Sequence, residues 1–145
     1  MIILQGYFHL GNERYISVKV FKGQTRIDIR QYNKYGEKIY PTKLGIHLTE
    51  TQFANLLLFI DDIDKDVKKF QDKKVESFRY NIGDGICVSV TDGYPVVHVR
   101  LYFQNELMPC ALPTKTGLAL RFSEWDNLVT LAVEVQKKLE SSVSL

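Results

Sequence analysis

The chain has 145 residues, 45% hydrophobic and 25% charged, with 19 Lys and Arg against 17 Asp and Glu for a net charge of +2. That is ordinary soluble globular composition, enough for one domain or two small ones. No apolar run approaches the ~18 residues of a membrane span. The start, MIILQGYFHL, lacks the basic segment of a secretion signal, so an intracellular protein is expected.

In chain order, RYISVKVF alternates: Ile16, Val18 and Val20 point one way, Tyr15, Ser17, Lys19 and Phe21 the other. Period two marks a half-buried strand. After a turn at Lys22-Gly23-Gln24, TRIDIRQY alternates again, with Ile27 and Ile29 opposed to Arg26, Asp28, Arg30 and Tyr32. Lys34-Tyr35-Gly36 makes the next turn, and two short strands are expected near Glu37–Tyr40 and Gly45–Leu48. Thr49-x-x-Gln52 then forms a capping box that starts a long helix. Phe53, Leu56, Leu57, Ile60, Ile63 and Val67 make its apolar stripe, and Leu58 and Phe59 fall outside that stripe.

The plan then recurs. PTKLGIHL (Pro41–Leu48) returns as PTKTGLAL (Pro113–Leu120), 72 residues on, with five of eight positions identical. IDIRQY (Ile27–Tyr32) lies over VHVRLY (Val97–Tyr102), and ISVKVFKG (Ile16–Gly23) over ICVSVTDG (Ile86–Gly93), both at an offset of 70. A second helix is expected from about Ser123, with Trp125, Leu128, Val129, Leu131, Ala132 and Val135 on its apolar faces. The expected organisation is two tandem units, 1–72 and 73–145, joined near QDKKVE (Gln71–Glu76). Units of roughly 65–70 residues are marginal alone. Each helix is therefore expected to cover its own sheet with one face and meet the other helix with the second.

Charge is distributed unevenly. Residues 1–48 hold eight Lys or Arg against three acids, a balance of +5, whereas 77–145 hold six against seven. The positive charge thus gathers on the first unit's strands, a footprint for a polyanion. There, Tyr15, Lys19, Phe21, Arg26, Arg30 and Tyr32 would share one solvated face, with Lys22 at its turn. Rings interleaved with cations suit single-stranded nucleic acid, because bases stack on ring faces while Lys and Arg follow the phosphates. The other reading of the same residues is an ordinary amphipathic sheet face, and periodicity alone leaves both open.

The strings RYISVKVFKGQTRIDIRQY, GIHLTETQFANLL and IDDID resemble the C-terminal domain of the transcriptional coactivator positive cofactor four, over about Phe8–Phe70. The second unit resembles it less closely, through NIGDG, VHVRLY and PTKTGLAL. The resemblance implies an α+β fold: a curved four-stranded antiparallel sheet followed by a helix, two such units pairing through their helices and binding single-stranded or unpaired DNA. Here both would lie in one chain as an intramolecular pseudo-dimer. Carried over residue by residue, the family's binding positions fall on Arg14, Phe21, Lys22, Arg30 and Lys43. In the second unit they fall on Arg100, Phe103 and Lys115. The family's second stacking ring is Asn33 here, which Tyr32 or Tyr35 would have to replace, and the Lys beside Lys43 is Leu44. Thr91 and Asp92 are expected in the places of Phe21 and Lys22. A composite site is therefore expected, with Phe21 from one unit and Phe103 from the other.

The resemblance implies a transcriptional coactivator or a replication or repair accessory factor, in the nucleus if the source is eukaryotic and otherwise in the cytoplasm or a host cell, with DNA or RNA and transcription or replication proteins as partners. Two other readings stand beside it: a PUR-type repeat protein that binds single-stranded DNA or RNA, and a protein-interaction module that has lost DNA binding. No enzyme, cofactor or metal site is expected. Asp28 reads as an ion-pair partner of Arg26 or Arg30, and His9, His47 and His98 have no catalytic or ligating neighbours at useful spacing. Gly83-Asp84-Gly85 opens a strand and so lacks the setting of a phosphate loop. Cys87 and Cys110 read as buried free thiols.

Overall fold

The computed structural model describes residues 6–73 and 76–143. Residues 74 and 75 of the expected junction lie outside the described residues. The order is β1 (Tyr7–Gly11), β2 (Arg14–Phe21), β3 (Gln24–Tyr35), β4 (Lys38–Leu48) and α1 (Glu50–Gln71). The series recurs as β5 (Phe78–Gly83), β6 (Ile86–Val90), β7 (Val96–Phe103), β8 (Leu112–Arg121) and α2 (Phe122–Val143). Each half is a four-stranded antiparallel meander followed by its helix.

Two strands differ from expectation. The fourth is one continuous element, Lys38–Leu48, whose register slips between Arg30 and Tyr32 of its partner, so the two short segments join. An unexpected first strand, β1, pairs with β2. The hairpins β1–β2 and β2–β3 turn on Asn12-Glu13 and Lys22-Gly23, with φ of 52°, 60°, 50° and 75°. Positive φ at both central residues gives the turn hand that matches strand twist. Thr49 and Gln52 form the expected capping box: Gln52 N–H donates to Thr49 Oγ1 at 3.0 Å, and Thr49 N–H to Gln52 Oε1 at 2.9 Å.

The core-facing sides of both sheets and helices meet in one continuous buried cluster, including Ile16, Ile29, Leu48, Phe53 and Ile63 with Val88, Val99, Leu120, Trp125 and Val135. Each helix leans on the other unit's first hairpin: α1 against β5 and β6, α2 against β1 and β2. The polar contacts repeat across this arrangement. Gln52 Nε2 donates to Gly83 O (2.9 Å) and Asn55 Nδ2 to Ile82 O (2.8 Å), while Asn127 Nδ2 donates to Leu10 O (2.6 Å). Asn55 and Asn127, like Ile82 and Leu10, are 72 residues apart. Phe59, outside the main stripe, packs on Tyr80 of β5 at a ring separation of 6.1 Å. Leu58, by contrast, is exposed.

Strand pairing sets the equivalence of the two units. Tyr7 faces Ser17 and Arg79 faces Ser89; Ser17 faces Asp28 and Ser89 faces His98; Arg30 faces Gly45 and Arg100 faces Gly117. The first two strands are therefore related by 72 residues and the third by 70. The stretch from Ser89 to His98 is two residues shorter than that from Ser17 to Asp28. This corrects the alignment of the second strand. Thr91 stands in the place of Lys19, and Asp92 in that of Val20. Neither occupies the position of Phe21 or Lys22. Cys87 is buried as expected, but Cys110 lies exposed between β7 and β8, where no strand encloses it.

Candidate nucleic-acid interface

The outward face of the first sheet is organised around Asp28 on β3, a carboxylate with no solvent exposure. Burying a charge is tolerated only when it is paired and hydrogen-bonded. Arg30 donates to it from Nε and Nη2 at 3.1–3.3 Å, Lys19 Nζ at 3.3 Å, and His47 Nδ1 lies 3.3 Å away. Arg30 also donates from Nη1 to Thr42 O at 2.8 Å. Its side chain lies across Gly45, where any Cβ would fall within 2.8 Å of Arg30 Cβ, Cγ and Cζ. The glycine gives the guanidinium room to lie flat.

Lys19 is held as firmly. Its ammonium donates to Tyr32 Oη at 2.7 Å and sits 5.3 Å from the ring centroids of Tyr7 and Tyr32. Burial works against this charge, yet the Tyr32 bond and Asp28 outweigh it and hold the Lys19 pKa above its ordinary value. Tyr32 was expected on the solvated face and is only 3% exposed. It packs edge-on against Tyr7 and Tyr15, which enclose it. A base cannot stack on it there. Arg14 turns towards α2, donating to Glu124 Oε1 at 2.7 Å. The buried Glu124 also accepts from Asn12 Nδ2 and from the Arg121 N–H, which spends Arg14 on holding the two units together.

The accessible groups lie at the β2–β3 tip. Phe21 is 50% exposed and stacks on His47 with ring centroids 5.3 Å apart and planes 20° from parallel. Lys22 Nζ lies 5.5 Å from the Phe21 centroid. Arg26, next to the tip, bonds Gln24 and the Thr25 carbonyl, and Lys43 is exposed on β4. Burial holds the His47 pKa below its ordinary value, Asp28 opposing the shift.

The second sheet keeps the scaffold and changes its charges. Arg100 donates to Thr114 O at 3.1 Å, as Arg30 does to Thr42 O. Gly117 faces Arg100 as Gly45 faces Arg30. Lys115 is exposed, and Phe103 is 55% exposed at the end of β7. Arg79, in the place of Tyr7, lays its guanidinium 4.6 Å from the centroid of Tyr102. His98 stands where Asp28 stands in the first sheet. His47, His98, Tyr7 and Arg79 escape a sequence reading because only cross-strand register brings them beside the expected residues. Among the described residues, no group of His, Cys, Asp and Glu could hold a metal ion, and no helix is long and apolar enough to cross a membrane.

The fold and this face define a class: an antiparallel sheet, backed by helices, that presents rings and cations on its open side. Residues 8–58 match the family described as Transcriptional Coactivator p15 (PC4). That match lies within the first unit. A Caenorhabditis elegans protein named "Putative RNA polymerase II transcriptional coactivator" is 42% identical over 60 residues, 40% of this chain and 48% of its own length. A Neurospora crassa protein of the same name is 40% identical over 62 residues, 43% of this chain and 36% of its own. The RNA polymerase II transcriptional coactivator KELP of Arabidopsis thaliana is 33% identical over 64 residues, 44% and 39% respectively. This chain thus spans less than half the length of each of these relatives.

Proposed function

We propose that this protein binds single-stranded or unpaired DNA and acts as a transcriptional coactivator in the nucleus, as a binding protein rather than an enzyme. The family match of the first unit and the names of its relatives support the coactivator role. The observation that carries the binding mode is the β2–β3 tip, where a half-exposed Phe21 stacks on His47 with the Lys22 ammonium 5.5 Å from its centroid. A ring held flat and open offers a face to any base, and an ammonium beside it meets the adjoining phosphate. In this reading, 1–72 and 73–145 are two copies of one unit forming a pseudo-dimer. Phe21, Lys22, Arg26 and Lys43 serve the strand on one half, and Phe103, Arg100 and Lys115 on the other. Lys19, Arg30, Tyr32 and Arg14 shape that surface from beneath, through the bonds they already make.

The test is fluorescence anisotropy of a labelled 20-nucleotide strand against the same strand annealed to its complement. Tighter binding to the single strand is expected, with little base preference and a log–log salt slope of roughly −0.7 per phosphate neutralised. Equal affinity for both forms at physiological salt would sink the reading. An RNA strand of the same sequence shows whether sugar identity is read.

A further inference from the structure

The surfaces through which the two units meet correspond at an offset of 72 residues, yet the contacts on the two sides are not the same. α2 sets the buried Glu124 against the β1–β2 hairpin, where Asn12 Nδ2 donates to it at 2.8 Å and Arg14 Nη1 at 2.7 Å. On the other side Gln52 meets the β5–β6 hairpin, with Asp84 in the position of Asn12 and Ile86 in that of Arg14. Both hairpins turn alike, with φ of 52° at Asn12 and 51° at Asp84. Further along the helices, Asp66 accepts from Tyr80 Oη at 2.5 Å and Asp64 from Trp125 Nε1 at 3.0 Å. Lys68 Nζ donates to Asp126 at 2.6 Å. The corresponding pairs are Lys138 with Phe8, Gln136 with Phe53, and Glu140 with Ala54. Each of these has one apolar side chain, so the bond of its counterpart is not repeated.

We propose that the two pairing surfaces are coded for each other: the second unit accepts a unit with a cationic first hairpin and helix carboxylates, and rejects a second copy of itself. The proposal rests on the pseudo-dimer reading above and is independent of what the sheets bind. A pair of second units would place the buried Glu124 against Asp84, with Ile86 where Arg14 now donates. It would also set Asp126 against Glu140. Such a pair is two-fold, so each juxtaposition would occur twice. Burying Glu124 without its cation is strongly unfavourable. Like charges across an interface suppress the wrong partner as well. Nor could Glu124 do what Gln52 does, since Gln52 donates to Gly83 O and an ionised carboxylate only accepts. A pair of first units meets no such repulsion. There the neutral Gln52 would face Asn12 and Arg14, and only the bonds to Tyr80, Trp125 and Asp126 would be lost. The order of preference is therefore unlike halves, then two first units, then two second units.

The experiment places a protease site between Lys73 and Glu76 of the full chain, cuts the folded protein, and parts and re-forms the pairs through urea. Native mass spectrometry then measures the three possible pairs, which differ in mass. Unlike pairs should dominate, and pairs of second units should fall about tenfold or more below random association. Asp84→Asn combined with Asp126→Asn removes both repulsions at exposed positions and offers Glu124 the amide that Asn12 now supplies. In that variant, pairs of second units should rise about tenfold or more. Melting of the uncut variant checks that it folds. Wild-type second units that pair as often as chance allows overturn the proposal and leave the pseudo-dimer reading standing. A variant that folds yet leaves their abundance unchanged does the same. Halves that stay single once the urea is removed overturn the pseudo-dimer reading, and the proposal with it.

Discussion

The two sheets share strand order, bulge position and the glycine opposite their third-strand arginine, yet at the centre of one face that arginine is paired with a carboxylate and on the other it is not. In the first, a buried carboxylate collects two cations, Lys19 and Arg30, with His47 beside it, and a tyrosine cluster closes over Lys19. In the second, an imidazole takes that position and Arg79 replaces a tyrosine. Counting Lys and Arg would rank the first sheet as the stronger anion binder. At the third-strand arginine the order reverses, because Arg30 is paired with Asp28 and Arg100 with no carboxylate among the described residues. Formal charge measures attraction at a distance, whereas contact requires cations that are not already committed.

The most drastic way to break this comparison is to separate the sheets. Residues 1–72 expressed alone lose the Asn127 bond to Leu10 O, the Glu124 contacts and half of a continuous core. The fragment should be poorly folded or a homodimer by calorimetry and sedimentation. A stable, cooperatively melting monomer would show that the halves do not need one another. Asp28→Asn comes next in size. It should cost about 3 kcal/mol in urea melts, the low end for breaking a buried ion pair because Lys19 and Arg30 keep some access to water. The same variant should bind single strands more tightly once folded, bringing the first face closer to the second.

Smaller effects sharpen the contrast between the two exposed rings. Phe21→Ala should reduce affinity by about 1–3 kcal/mol in anisotropy titrations. Phe103→Ala should match it if both halves hold the strand, and an unchanged affinity with intact folding would leave the first unit alone in that role. The smallest effect is acid sensitivity. Burial holds the pKa of His47 and of His98 below the ordinary value near 6.5. Below that pH the unfolded chain takes up protons that the folded chain resists, so stability is full above pH 6.5 and falls as pH drops through the folded values. Thermal melts should show a loss of no more than about 2–4 °C between pH 7 and 5.5, reduced in His98→Gln. A flat profile would mean that neither imidazole is held neutral by burial.

How much of this was legible in the sequence depends on the range of the interaction concerned. The alternation of Ile16 to Phe21 and of Ile27 to Tyr32 is local, and the strands appear where it places them. The capping box at Thr49 and the helix stripe from Phe53 to Val67 are local too. The strand Tyr7–Gly11 went unseen because Tyr7 and Phe8 stand side by side and break the period-two alternation. Tyr32 alternates onto the outward face and is nonetheless buried, since Tyr7 and Tyr15 come over it from β1 and β2. Arg14 looks like a surface cation until α2, 110 residues away, brings Glu124 to it. The mismatch at Thr91 has the same origin. Identical letters favoured one alignment, and hydrogen-bonded register selected another, two residues away.

Each helix reaching over to the other half's first hairpin has a consequence for how such a protein can change over generations. Two separate chains would find each other only as concentration allowed, but a tether of a few residues keeps the partner at an effective concentration on the order of millimolar. Dilution then cannot part them. Nor must every substitution appear twice, as it would in a symmetric homodimer. Glu124 can gain an arginine partner while its counterpart Gln52 holds a backbone carbonyl instead, and one hairpin can shorten while the other keeps its ring. Covalent joining gives each half freedom to specialise that a symmetric pair does not have.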